Sequence, residues 1–101
     1  MRERMFQIDF TSNALEDLQL FKVYEQRQIV EAIETQLLYQ PTQPTRNRKQ
    51  LRPNALAEWE LRIDNIRVFY DVDTELSLVK IEAIGYKEGN TLFIHGVEYD
   101  L

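Results

Sequence analysis

Residues 59–72 read Trp-Glu-Leu-Arg-Ile-Asp-Asn-Ile-Arg-Val-Phe-Tyr-Asp-Val, and their alternation predicts a β-hairpin. Trp59, Leu61 and Ile63 alternate with Glu60, Arg62 and Asp64, the period of a strand buried on one face. Asp64-Asn65 supplies the residue types that best tolerate left-handed backbone after glycine, as a two-residue turn requires. Ile66, Val68, Tyr70 and Val72 then alternate with Arg67, Phe69 and Asp71. With Asp64-Asn65 as the whole turn, Ile63 pairs with Ile66, Leu61 with Val68, and Arg62 lies directly opposite Arg67. Trp59 falls on the buried register and is expected in the core.

The Arg62–Arg67 pair is informative because like charges facing each other across an antiparallel ladder destabilise it by up to about 1 kcal/mol. Two readings stay open. Glu60, Asp64 and Glu82 neutralise the arginines on the same face, or the arginines form a fork for phosphate, which guanidinium geometry suits.

Upstream of the hairpin, Phe6, Ile8 and Phe10 predict a strand over 5–10. Thr11-Ser12-Asn13 offers helix-starting side chains, and Asn13 with Glu16 has the spacing of a capping box. A short helix to about Phe21 is expected to bury Leu15, Leu18 and Phe21. A second helix spans about Tyr24–Tyr39, with Ile29, Ile33 and Leu37 every four residues, and Gln40-Pro41 ends it. Residues 41–56, with three prolines and the cluster Arg46, Arg48, Lys49 and Arg52, predict a long surface loop.

Downstream, Asp73-Thr74-Glu75 makes a turn and 77–84 a strand. There Val79, Ile81 and Ala83 are expected on one face, with Leu78, Lys80, Glu82 and Ile84 on the other. Gly85 and Gly89-Asn90 read as turn residues, Thr91 to His95 as a short strand, and Gly96 to Leu101 as a tail. The fold class is therefore α+β: an N-terminal strand, a two-helix hairpin, then an antiparallel meander forming one curved sheet packed on the helices. The second sheet face, bearing Glu60, Arg62, Arg67, Phe69, Lys80 and Glu82, is expected to stay partly open.

The chain of 101 residues is the size of one domain, 1–101, and at 44% hydrophobic and 29% charged it has the composition of a soluble globular protein. It has no cysteine, which excludes disulfides and thiolate chemistry. No apolar run approaches the roughly 20 residues of a membrane span. Met1 to Phe6 carries charge with no apolar signal core behind it, so a cytoplasmic location and no membrane partner are expected. A net charge of −5 and a pI near 4.8 argue against coating nucleic acid through bulk charge. Nevertheless, residues 46–52 hold four cations and no acid. One histidine and scattered carboxylates give no ligand spacing, so no metal and no cofactor are expected.

Three motifs together resemble the RelE/ParE superfamily of bacterial toxins. They are Lys49-Gln50-Leu51-Arg52, the 59–72 hairpin, and Ile84-Gly85-Tyr86-Lys87. The family pattern runs from a K-x-L-x loop through a "W-x-L-R-h-x-x-h-R-V-h-Y" hairpin to a later strand ending "h-G-x-[KR]", over nearly the whole chain. The resemblance implies a RelE-like fold and the toxin role of a type II toxin–antitoxin system, a plasmid-stabilisation module. It also implies a cognate antitoxin that covers the open sheet face. Two targets follow from it: RelE-like members cleave messenger RNA on the ribosome and so inhibit translation, whereas ParE-like members act on DNA gyrase. A silent member that only binds antitoxin is a third alternative.

For RNA cleavage, the resemblance makes Arg67 the match to the phosphate-stabilising arginine. Arg62 and Lys87 match further basic positions, and Lys49 and Arg52 would clamp the RNA backbone beside Arg46 and Arg48. Two positions depart from the pattern. Glu60 stands where the RelE type has a lysine, and Phe93 falls roughly where that type has a tyrosine. Glu60 is then the candidate base and His95 or Tyr86 the candidate acid. For His95 the alternative is an ordinary surface residue, and for Tyr86 a base-stacking group or packing beside a turn. Arg46 to Arg52 either bind nucleic acid or solubilise a loop. Phe69 either stacks on a base or lies beneath the antitoxin.

Overall fold

The computed structural model describes residues 4–101, so Met1, Arg2 and Glu3 lie outside the described residues. Among these, strand β1 (Gln7–Phe10) leads into helices α1 (Ser12–Gln19) and α2 (Val23–Leu37). Six further strands follow: β2 (Arg48–Gln50), β3 (Trp59–Ile63), β4 (Ile66–Asp73), β5 (Leu78–Glu88), β6 (Thr91–Ile94) and β7 (Val97–Tyr99). The sheet order is β2-β3-β4-β5-β6-β7, with β1 parallel to β5. No helix among the described residues is long and apolar enough to cross a membrane.

The hairpin forms in the expected register, Ile63 opposite Ile66 and Arg62 opposite Arg67. Of the turn pair, Asp64 takes the left-handed conformation, at φ 54°. Trp59 is buried and stacks on its cross-strand partner Tyr70, ring centroids 6.2 Å apart. Leu61, Ile66, Val68 and Tyr70 join Ile29, Ile33 and Leu37 of α2 in the main core. The four-residue spacing of those helix residues thus points at the sheet, as periodicity demands. Tyr70 extends through this core to donate from its hydroxyl to the Pro41 carbonyl at 2.7 Å.

Helix α1 begins two residues earlier than the Asn13–Glu16 spacing predicts. Thr11, not Asn13, is its N-cap, its hydroxyl accepting from the Ala14 amide at 3.1 Å. That shift turns Ala14 and Asp17 inward and leaves Leu15 exposed, while Leu18 and Phe21 pack against the core.

Strand β5 departs most from expectation. Phe69 pairs with Ala83 but Tyr70 pairs with Ile81, so Glu82 is an extra residue and the strand bulges there. A bulge inverts the side-chain parity that follows it. Ile84 therefore joins Val79 and Ile81 in the helix-side core, and Ala83 faces the opposite way, the reverse of the simple alternation. Gly85 lies within this strand rather than in a turn, opposite both Arg67 and Ile94. The long β5 is what lets two elements share one edge: β1 pairs with residues 78–81 and β6 with 85–88.

The face away from the helices is less open than expected. Residues 48–50 pair with β3 rather than forming loop, and 97–99 pair with β6 rather than forming a tail. Ala57, Phe69, Ala83 and Leu92 make a second small core under Leu51, Leu56, Ile94 and Tyr99. Asn54 organises the segment above it. Its amide donates to the Arg52 and Ala57 carbonyls (2.7 and 2.9 Å), and its carbonyl oxygen accepts from the Leu56 and Ala57 amides (2.7 and 3.1 Å).

Candidate functional site

Strand parity places the candidate side chains before any of them touches another. Lys49 pairs with Glu60, Arg62 with Arg67, and Arg67 with Gly85, so all project from the face opposite the helices. Lys87, two residues beyond Gly85, shares that face. Lys49, Arg52, Glu60, Arg62 and Lys87 line one groove of about 620 Å³, and Tyr99 of β7 joins them. The Asn54-pinned segment supplies one wall and the β6–β7 hairpin the other.

Glu60 is the buried centre of this groove, only 4% exposed. Its carboxylate accepts from Arg62 Nε at 2.8 Å. Neutralisation by Glu60 is thus real for Arg62. It does not extend to Arg67, which has no carboxylate within ion-pair distance among the described residues. Instead Arg67 Nη1 donates to the main-chain carbonyls of Asp64 (2.6 Å) and Ile66 (3.0 Å), while its buried Nε has no partner. The Asp64 carboxylate is engaged elsewhere, accepting from Gln28. Burial lowers the Arg67 pKa, Glu60 opposes that, and Arg62 adds to the lowering. A guanidinium stays charged regardless.

Several expected site residues lie elsewhere. Arg48 pairs with Leu61 and faces the helices, where it is buried and donates to the Gln36 carbonyl at the end of α2. It neutralises a helix C-terminus and is unavailable to nucleic acid. Phe69 is fully buried in the second core and cannot stack on a base. Arg46 is exposed but outside the groove. Tyr86 and His95 are on the helix side, lining a separate cavity of about 450 Å³ with Asp17 and Phe21. Phe93 stacks on Tyr86 there, centroids 5.4 Å apart, so it does not occupy a groove position.

Two residues were missed by the sequence reading. Tyr99 is in the groove because His95-Gly96, both at positive φ, turn the chain so that β7 returns along β6. A His-Gly pair flanked by Ile94 and Val97 was the available signal. Asp17 is 3% exposed and accepts from the Ile84 amide (3.0 Å) and bonds His95 Nδ1 (2.8 Å). Its position on an otherwise polar helix stretch gave no sign of burial.

Glu82 plays no part in neutralising the arginines. It sits at the bulge beside Asp71, where burial, a hydrogen bond to Asp71 and repulsion from that carboxylate push it up to about 7, Lys80 opposing. The folded chain thus holds a proton that the unfolded chain releases near 4.5. Its stabilising contribution is complete below about pH 4.5 and lost as pH rises through about 7. Glu82→Gln should therefore flatten the fall in Tm across that interval, measured by thermal unfolding at a series of pH values. An unchanged slope would remove Glu82 as its source.

The family described as the ParE toxin of the type II toxin–antitoxin system parDE matches residues 8–90, from β1 to the β5–β6 turn. No curated protein matches the chain. Among solved structures, the toxin–antitoxin complex RelBE2 from Mycobacterium tuberculosis is similar at TM-score 0.71 and 24% identity, covering 85% of this chain and 95% of that one. The archaeal RelE–RelB complex from Pyrococcus horikoshii OT3 is similar at TM-score 0.67 and 18% identity, covering 84% and 97%. With strand, two helices and antiparallel sheet in the same order, and with most of its length matched by the family, the chain belongs to the RelE/ParE superfamily as a toxin of a type II toxin–antitoxin system.

Proposed function

We propose that this toxin is an endoribonuclease that cuts messenger RNA on the ribosome. One observation carries the reading: four cations, Lys49, Arg52, Arg62 and Lys87, share a groove with one buried carboxylate, Glu60, and one phenol, Tyr99. That set matches what internal attack on an RNA phosphate asks for. Glu60 takes the proton of the 2′-hydroxyl as its oxygen attacks the adjacent phosphorus. Arg62, Lys87 and the neighbouring Arg67 stabilise the extra negative charge of the phosphorane-like transition state. The bond to the 5′-oxygen breaks, and Tyr99 supplies the proton that oxygen needs. The products are a 2′,3′-cyclic phosphate and a 5′-hydroxyl. Lys49 and Arg52 hold the flanking backbone as point and fork charges.

Tyr99→Phe removes the proton donor and little else. It should slow cleavage about 10²-fold or more at unchanged RNA affinity, measured on ribosomes programmed with a defined message under single-turnover conditions. Cleavage at the wild-type rate would exclude Tyr99 as the acid.

The matched family description favours a second reading, in which the same toxin acts on DNA gyrase and the groove faces protein. Wild-type protein that leaves translation intact while inhibiting gyrase supercoiling would establish that reading instead. Under either, the cognate antitoxin covers the Glu60–Phe69 face and competes for the groove.

A further inference from the structure

The edge of β5 is vacated between two partners. Strand β1 leaves it at Ile81 and β6 joins it at Gly85, so on this edge the intervening backbone has no paired strand among the described residues. Helix α1 and its cap fill the gap with side chains. The Thr11 hydroxyl donates to the Glu82 carbonyl at 3.2 Å, and the Asp17 carboxylate accepts from the Ile84 amide at 3.0 Å. The second Asp17 oxygen bonds Nδ1 of His95 at 2.8 Å. His95 is the first residue of the two-residue β6–β7 turn, at φ 55°. Across that hairpin, on the opposite sheet face, Leu92 and Tyr99 form a wall of the cationic groove.

We propose that Asp17 and His95 are a positioning pair: they fasten the β6–β7 hairpin to α1 and thereby hold Tyr99 in the groove. The inference rests on the groove being the functional site, but the latch itself is a structural statement that stands apart from the reaction. Two geometric facts support it. Hairpin β6–β7 is terminal in the sheet; Leu92, Ile94 and Tyr99 pack it into the second core on the groove side, and the His95–Asp17 bond ties its turn to the helix side. Asp17 is buried whereas the His95 side chain is 55% exposed, so the rigid partner is the helix and the held partner is the hairpin. In this role His95 acts through its Nδ1–H bond and transfers no proton to substrate; it does not line the groove.

Two substitutions separate these roles. His95→Asn keeps an N–H donor near the Nδ1 position and tolerates left-handed backbone, yet cannot serve as an acid or base. His95→Gly also suits that backbone but removes the bond. Amide hydrogen exchange is the readout that does not depend on activity. His95→Gly should speed exchange at Ile94, Val97 and Tyr99 by about tenfold or more, with β3 and β4 unchanged, and His95→Asn should not. Cleavage or toxicity should follow the same order, retained in His95→Asn and lost in His95→Gly without rescue by added imidazole. Wild-type protection of the hairpin in His95→Gly would overturn the latch, as would imidazole rescue. Should His95→Gly fail to fold, imidazole ¹⁵N shifts of the wild-type protein decide: a protonated Nδ1 supports the latch, and a bare Nδ1 overturns it. If the wild-type protein cuts no RNA, the groove reading fails while the exchange result still stands.

Discussion

Alanine at Gly85 should destabilise the fold by about 3 kcal/mol, toward the upper end of what overpacking a filled site costs. A Cβ there would lie 2.3 Å from the Phe93 carbonyl oxygen and 2.9 Å from Ile94 Cγ1. The first of these is backbone in a paired strand and cannot swing aside as a flexible side chain would. Gly85 is also held from the other side by its pairing with Arg67, so β6 must move away. For a domain of this size the loss corresponds to a drop in Tm of about 12 to 24 °C, readable by calorimetry. The displaced hairpin would carry Tyr99 with it and open the groove. A variant as stable as the wild type would mean that β6 approaches β5 less closely than described.

Arg67→Ala should lower the rate of RNA cleavage by about 10²- to 10³-fold while leaving Tm nearly unchanged. The stability side follows from what Arg67 touches. Its removal gives up two hydrogen bonds to the hairpin turn, but it also relieves the repulsion from Arg62 and an unpartnered buried Nε. These are small terms of opposite sign. Arg62→Ala would be a poorer test, because it strips the buried Glu60 of its partner and mixes folding with function. Growth arrest on expression without antitoxin, scored beside thermal unfolding, checks both halves. Full toxicity of a folded Arg67→Ala protein would remove this arginine from the chemistry.

What could be read in the sequence was what local periodicity controls. The hairpin, its Arg62–Arg67 pairing, the burial of Trp59 and the sheet-facing stripe of α2 all depend on residues within one element and its immediate neighbour. The β5 bulge was hidden because Ala83 and Ile84 are both apolar, so either parity satisfies the pattern. Gly85 looked like punctuation, whereas its reason is a neighbouring carbonyl contributed by residue 93. The burial of Arg48 and Phe69 likewise depends on partners far along the chain, the end of α2 and the 51–57 segment.

The candidate site divided along the same line. Glu60, Arg62, Arg67 and Lys87 share a face because alternation and register put them there, and a signal of that kind can be read from sequence. Tyr86 and His95 were grouped with them as candidate acids in place of the family's tyrosine, but strand parity sends Tyr86 to the helix side and the β6–β7 turn carries His95 onto Asp17. Tyr99 required knowing that the chain turns back after Ile94.

The most direct test of the groove as an RNA-cleaving site is to add the purified toxin to a cell-free bacterial translation extract and map messenger RNA ends. Arrested synthesis, new 5′ ends within ribosome-bound codons, and loss of both with Arg67→Ala are the expected result. Continued translation with intact messages would contradict it and move the groove from catalysis to protein binding.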